Sequence, residues 1–373
     1  MVAERFDRRR ALAGLVALFL GVHLGFPLAG AIAYRRLGEA SLKASLSALT
    51  SDTWVLDGLG GLFSRDGEYY LGIASDGYRT AQSWAFFPLY PYAARVLGPV
   101  LGGTPTAGLA ISLGASALCC AALYAFTAAS HGDGAAARAV GLFLAFPTHF
   151  FFSAFYSESV YFAFVALAFL SSSRRRWALA ATFGALAAAT RSSGILLLPA
   201  LALGTLHRER WRKVDAQLAW LLLIPVGTAS FFLLAFVKTG TFAAPLVAQE
   251  LWARKTTFPL LTIAQAAQDF RQAPLNLQRG LDCAATLGGF ALASRSLRRL
   301  DTAQSAYLVL ALLMPLSSGL VLSMARFVGA APPVYVLLAQ ELVQPRRYAV
   351  VLALSVMVQL ALAIQFSTGT GIV

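Results

Sequence analysis

Asp66 opens the segment DGEYYLGIASDGY, residues 66–78, in which Asp66, Glu68 and Asp76 punctuate a run of apolar and aromatic side chains. Helical spacing puts Tyr70, Ile73 and Ala74 on one face, with Asp66 four residues before Tyr70 and near the same side. A helix of this kind holds a carboxylate at the level of lipid headgroups, where a lipid-linked phosphate would sit. The same pattern also fits an amphipathic helix whose three acids are simply solvated, and spacing leaves both readings open. Two arginines are placed more tellingly. Arg191 lies between two short apolar runs, and Arg326 interrupts an otherwise apolar stretch from Tyr307 to Leu338, where an unpaired charge costs a few kcal/mol. A guanidinium offers a fork of donors matched to phosphate, so arginines facing one cavity point to an anionic ligand. The competing reading pairs them with Glu158 or Asp66.

Other chemistries leave no trace. His23, His131, His149 and His207 are far apart in sequence, without an HExxH motif or paired-ligand spacing, and each reads as a structural or loop residue. Cys119 and Cys120 are adjacent in one apolar run and Cys283 begins another, so neither a disulfide framework nor a metal-ligand spacing is present. There is no P-loop and no dinucleotide fingerprint, and no metal or cofactor is expected. The aromatic residues Trp84, Phe86, Phe87, Tyr90 and Tyr92 fit an interfacial belt or a ligand contact.

The elements that must carry these residues follow from composition. Of 373 residues, 58% are hydrophobic and 13% charged, about half the charged share of a soluble domain, roughly 25%, which excludes a water-soluble globular fold. The net charge of +13 sits in short basic clusters between long apolar runs, the pattern of membrane-protein loops rather than of a nucleic-acid surface. About eleven spans are expected, near 11–34, 106–129, 138–153, 157–172, 177–190, 193–206, 216–237, 281–294, 304–323, 327–343 and 348–366. The first is longer than a signal-peptide core and reads as an uncleaved span. Several are short, which predicts broken or tilted helices. The stretch 86–102, interrupted by Pro88, Pro91, Arg95 and Pro99, reads as interfacial.

With the N-terminus in the cytoplasm, the inner loops 1–10, 130–138, 173–176, 207–215, 295–303 and 344–347 hold 17 of the 30 Lys and Arg, a clear positive-inside bias. Two hydrophilic loops, 35–105 and 238–280, then fall on the outer face with the junctions at Tyr156–Glu158, Arg191–Ser193 and Met324–Arg326. Leu42, Leu46 and Leu49 predict a surface helix over 38–50. One integral membrane domain over 1–373 is the simplest organisation. A secondary transporter or flippase for an anionic lipid or solute is the alternative, disfavoured because such proteins place acids near the bilayer midplane whereas Glu158 lies at a span end.

Four blocks carry a resemblance that spans nearly the whole chain: RDGEYYLGIASDGY at 65–78 leading into AFFPLYPYAARVL at 85–97; FPTHFFFSAFYSESVY at 146–161 leading into LAAATRSSGILLLPAL at 186–201; TGTFAAPLVAQELWAR at 239–254; and PLSSGLVLSMARFVGAAPPVY at 315–335. Together they resemble the PIG-V family, the GPI mannosyltransferase 2 group with its bacterial relatives, within the GT-C membrane glycosyltransferases. Arg65 departs from the tryptophan usual before the aspartate, which puts the aromatic wall there in doubt. The resemblance implies an all-α bundle with amphipathic helices in the first outer loop. It implies inverting transfer of a sugar, mannose in the family, from a polyprenyl-phosphate donor to a lipid or glycan acceptor on the outer face. Under it Asp66 is the general base, and Arg191, Arg254 and Arg326 stabilise the departing phosphate without a divalent ion. The outer side offers few acids to pair with Arg191 and Arg326. Tyr156 and Glu158 orient acceptor or arginine, Gln249 and Trp252 contact sugar, Phe86, Phe87 and Tyr90 flank the prenyl chain, and Glu68, Tyr70 and Tyr78 complete the substrate surface.

Overall fold

The computed structural model describes residues 7–50, 55, 58–209, 216–272 and 277–369 of the chain. Parts of the inner loops expected at 1–10 and 207–215, and of both outer loops, lie outside the described residues. Among those described there is no strand. Asp7 starts α1 (Arg8–Leu37) by accepting from the Arg9 and Arg10 amides, a side-chain cap that satisfies two orphan donors. The helix is interrupted at Gly21–Gly25 by a π turn carrying His23, and ends where Gly38 becomes extended. The first outer loop then folds into α2 (Ala40–Leu49), α3 (Asp66–Asp76) and α4 (Leu89–Leu97).

The expected spans 106–129 and 138–153 are one element, α5 (Thr104–Ala145), with a break at Gly132, whose φ of 78° no helix accommodates. The two expected spans are thus two helical arms of α5 that meet at Gly132, inside the segment 130–138 expected to separate them. The chain leaves α5 before Pro147, which cannot continue the hydrogen-bond ladder, and a 3-10 turn at His149–Phe152 follows. Next come α6 (Glu158–Ser173), α7 (Trp177–Thr190), α8 (Leu197–Arg208), α9 (Ala216–Thr239), α10 (Ala244–Leu251), α11 (Pro259–Gln272) and α12 (Leu277–Arg299). The run expected at 304–323 is helical only over α13 (Thr302–Leu316), and 327–343 splits into α14 (Met324–Gly329) and α15 (Pro332–Glu341) ahead of α16 (Pro345–Ser367). Four described helices, α1, α5, α9 and α16, are long and apolar enough to cross a membrane, while α6, α7 and α13 are shorter apolar helices.

The main core is built from α5, α6, α7, α8, α13 and α15. Small residues permit the closest approaches, as expected where helices pack without a hydrophobic driving force. A Cβ at Gly227 of α9 would fall 2.0 Å from the Ala185 carbonyl oxygen of α7, and one at Gly184 would fall 2.7 Å from Ile224. A second core joins the outer-loop helices to the bundle: Leu42, Leu46, Tyr70, Leu71, Ile73 and Tyr90 pack with Phe151, Phe155, Tyr156 and Phe366. Tyr70, Ile73 and Ala74 are buried together, as their spacing requires. The helix at 40–49 is thus half-sunk in protein, not only laid on a lipid surface.

Candidate active site

The second core pins the backbone on both sides of Asp66. The buried Tyr156 hydroxyl accepts from the Asp66 amide at 3.1 Å and donates to the Ser64 carbonyl at 2.8 Å. Between these anchors Arg65 adopts a left-handed φ of 61°, a strained state that persists only where the surroundings impose it. Asp66 accordingly begins α3 with its carboxylate on the wall of a cavity of about 830 Å³, the same cavity lined by Glu68, Tyr70, Phe86, Phe87, Arg191, Gln249, Trp252, Arg254 and Arg326. Residues 260 positions apart meet here.

The acids and arginines form one chain of contacts. Arg326 Nη1 donates to Asp66 Oδ2 at 2.7 Å, while its Nε donates to Glu158 Oε1, and Arg191 Nη1 donates to that same Glu158 oxygen. The side chains of Glu158 and Arg326 are 1% and 8% exposed, so the pairs are desolvated and the charges need one another. Glu158 starts α6, where the helix dipole favours a negative charge. Arg326 also lies over the Tyr156 and Phe151 rings, 4.9 and 5.0 Å from their centroids. Of the two readings kept open for Arg191 and Arg326, the ion pairs are present: Glu158 holds both arginines and Asp66 also holds Arg326.

Arg254 is different. Its Nη1 donates to Gln249 Oε1 at 3.0 Å, and among the described residues it makes no ion pair. Burial lowers the pKa of its guanidinium; nearby Asp66 raises it, and the like charges of Arg326 and Arg191 lower it further. A cation in that situation is best completed by an anion.

The aromatic wall put in doubt by Arg65 is supplied by other residues. Tyr69 stacks on Phe86 at 5.1 Å and meets Trp252 edge-on at 5.2 Å, and all three line the cavity. Tyr69 escaped the sequence reading because its neighbour Tyr70 falls on the buried face; about 100° of helical rotation turns Tyr69 to the opening. Tyr70 instead contacts the Ser157 hydroxyl at 2.7 Å, and burial pushes its phenol up to about 12, so it stays protonated.

Tyr78, Tyr90, Tyr156 and Glu158 do not line the cavity. They form its framework. Tyr78 donates to the Phe86 carbonyl at 2.7 Å and stacks on Trp84 at 4.1 Å, and Tyr90 donates to the Gly108 carbonyl at 3.0 Å. Tyr90 instead faces a separate apolar groove of about 380 Å³ with Leu89, Leu118, Val160, Phe164 and Leu186. Trp84, Phe86, Phe87 and Tyr90 are buried and are not an exposed belt. His23 and His149, remote in sequence, meet at 3.3 Å inside the bundle. Among the described residues no three His, Cys, Asp or Glu side chains gather as metal ligands.

This helical arrangement is the GT-C fold of membrane glycosyltransferases. The structure is similar to ArnT from Cupriavidus metallidurans bound to undecaprenyl phosphate, with a TM-score of 0.53 at 18% identity over 90% of this chain and 62% of that one. It is also similar to the Archaeoglobus fulgidus oligosaccharyltransferase in complex with Zn and sulfate, with a TM-score of 0.51 at 15% identity over 95% of this chain and 53% of that one. The profile described as Mannosyltransferase (PIG-V) matches residues 35–260, more than half of the chain, and the chain belongs to that family. GPI mannosyltransferase 2 of Drosophila pseudoobscura pseudoobscura is 34% identical over 163 residues, covering 39% of this chain and 36% of that protein. The aligned part thus spans about a third of that relative's length.

Proposed function

We propose that the protein moves mannose from a polyprenyl-phosphate donor to a hydroxyl of a lipid or glycan acceptor at the outer membrane face, with inversion at the anomeric carbon. The observation that carries this reading is the convergence of Asp66 with Arg191, Arg254 and Arg326 on one cavity. Asp66 takes the acceptor proton as the hydroxyl oxygen attacks the anomeric carbon. The bond from that carbon to the phosphate oxygen breaks, and polyprenyl phosphate leaves as an anion beside the arginines, with Arg254 as its first partner. The leaving group is stable as an anion, so no general acid is needed. Tyr69, Phe86 and Trp252 give the sugar an aromatic platform, and Glu68 and Gln249 supply acceptors for its hydroxyls.

The apolar groove fits the prenyl chain. Leu186, on its wall, lies one helical turn before Thr190 and Arg191 on the cavity wall. The positive-inside distribution supports the outer-face placement, and a single domain over 1–373 fits the shared cores. The test is transfer of radiolabelled mannose from a short polyprenyl-phosphate donor to candidate lipid acceptors by the purified protein. Lipid translocation in proteoliposomes with no mannosyl transfer would replace this reading by the flippase one.

A further inference from the structure

Asp282 is an acid within the run 281–294. It lies on α12, is 4% exposed, and does not line the cavity. A carboxylate so placed is expensive in an apolar setting and calls for a partner or a task. Its Oδ1 accepts from the Met324 amide at 2.8 Å, and Met324 is the first residue of α14, the short helix that carries Arg326. The residue before it, Ser323, has a left-handed φ of 58° and makes no side-chain cap of its own. The cap that a serine or aspartate normally provides from the preceding position therefore comes from another helix.

We propose that Asp282 is a positioning residue for Arg326: by capping α14 from α12 it fixes the start of that helix and so the reach of the guanidinium to Asp66 and Glu158. Three features meet in this assignment. The strained Ser323 backbone needs an external restraint. Arg326 follows Met324 by two residues, less than one turn, so any shift at the cap is carried to the arginine. The Thr286 hydroxyl, one turn along α12, donates to the Asp282 carbonyl at 2.7 Å and ties up the backbone behind the acid. The role requires an oxygen acceptor at one place, not a negative charge. That separates it from the proton- or cation-carrying part an acid plays in a transporter.

The kinetic arm rests on the proposed transfer reaction; a structural arm does not. In full-length protein purified in detergent, Asp282→Ala is expected to raise the donor KM, and the dissociation constant for farnesyl phosphate, by about tenfold. Asp282→Asn, which keeps the oxygen, is expected to remain within twofold of wild type in both. If Asp282→Ala does not fold, Asp282→Glu replaces it: the acceptor is moved by one methylene, and the same weakening is expected with Asp282→Asn again near wild type. The idea is overturned if the variants lower only thermal stability while donor KM and farnesyl phosphate binding stand still, or if Asp282→Asn is as impaired as Asp282→Ala. Cryo-electron microscopy of the same variants supplies the structural arm. Arg326 displaced from Asp66 in Asp282→Ala, but not in Asp282→Asn, upholds the positioning role even if the wild type transfers no mannose, whereas Arg326 unmoved in both refutes it.

Discussion

Arg326 donates to Asp66 across 260 positions of sequence at 2.7 Å, so the acid assigned to proton removal and a cation assigned to the phosphate are in direct contact. The pair fixes where acceptor and donor must approach each other. It also makes each partner's substitution a perturbation of the other.

Asp66→Asn is expected to lower the rate of transfer by at least about 10²-fold while leaving donor binding largely intact. The amide keeps the shape of the carboxylate and can still accept from Arg326, which also retains Glu158, but it cannot take the acceptor proton. Transfer rate and donor KM on the purified variant check this. Near-wild-type transfer would remove Asp66 from the role of base.

Arg254→Gln is expected to weaken donor binding most among the cavity arginines. Among the described residues its guanidinium pairs only with Gln249 and is already destabilised by burial and by its cationic neighbours, so phosphate has no competing carboxylate to displace there. Arg254→Lys should cost roughly 1–3 kcal/mol of donor affinity, the scale of charge-assisted hydrogen bonds, because lysine lacks the planar fork. Arg191→Lys and Arg326→Lys should do the same in part and also lower the melting temperature, since both are tied to Glu158. Unchanged affinity in all three lysine variants would move the phosphate site elsewhere.

Transfer is expected to survive EDTA. A divalent ion needs several oxygen ligands free at one point, and here Asp66 accepts from Arg326 while Glu158 serves two arginines, which leaves on the wall Glu68 and Asp76, the latter paired with Arg79. Activity lost in EDTA and restored by Mn²⁺ or Mg²⁺ would show that the arginines release their acids to a metal.

Much of this arrangement could be read from the residues. The helix at 177–190 begins and ends where the apolar run does, because Arg174–Arg176 and Arg191 bound it on both sides. The break between two helices within 130–138 is legible in its glycines, although only Gly132 leaves helical geometry there and its neighbours stay helical. Apolar periodicity found the face of α3 that is buried, but not the face that lines a cavity, so Tyr70 was singled out and Tyr69 was not. Glu158 stood open as an ion-pair partner of Arg191 or Arg326; that it holds both depends on a turn no local pattern encodes. Asp282 acquires its meaning only through contact with a backbone amide 42 positions away.

Glu158→Gln tests what the shared carboxylate does for the fold. Arg191, Arg326, Glu158 and Asp66 together carry two positive and two negative charges, and the Glu158 side chain is 1% exposed. Glutamine keeps the shape: its oxygen can still accept from both guanidinium groups, and its amide nitrogen would occupy the place of Oε2, which has no hydrogen-bond partner among the described residues. What is lost is one negative charge beside two poorly solvated cations, and breaking a buried pair from one side costs about 3–5 kcal/mol. Glu158→Gln should therefore lower the melting temperature clearly, measured by thermal unfolding in a fixed detergent. Adding Arg191→Met restores neutrality to the remaining group, so the double variant should be more stable than Glu158→Gln alone, a non-additivity expected only if the charges are coupled. If Glu158→Gln unfolds at the wild-type temperature, the acid contributes no net stability and its reason for lying between the arginines must be sought in donor binding alone.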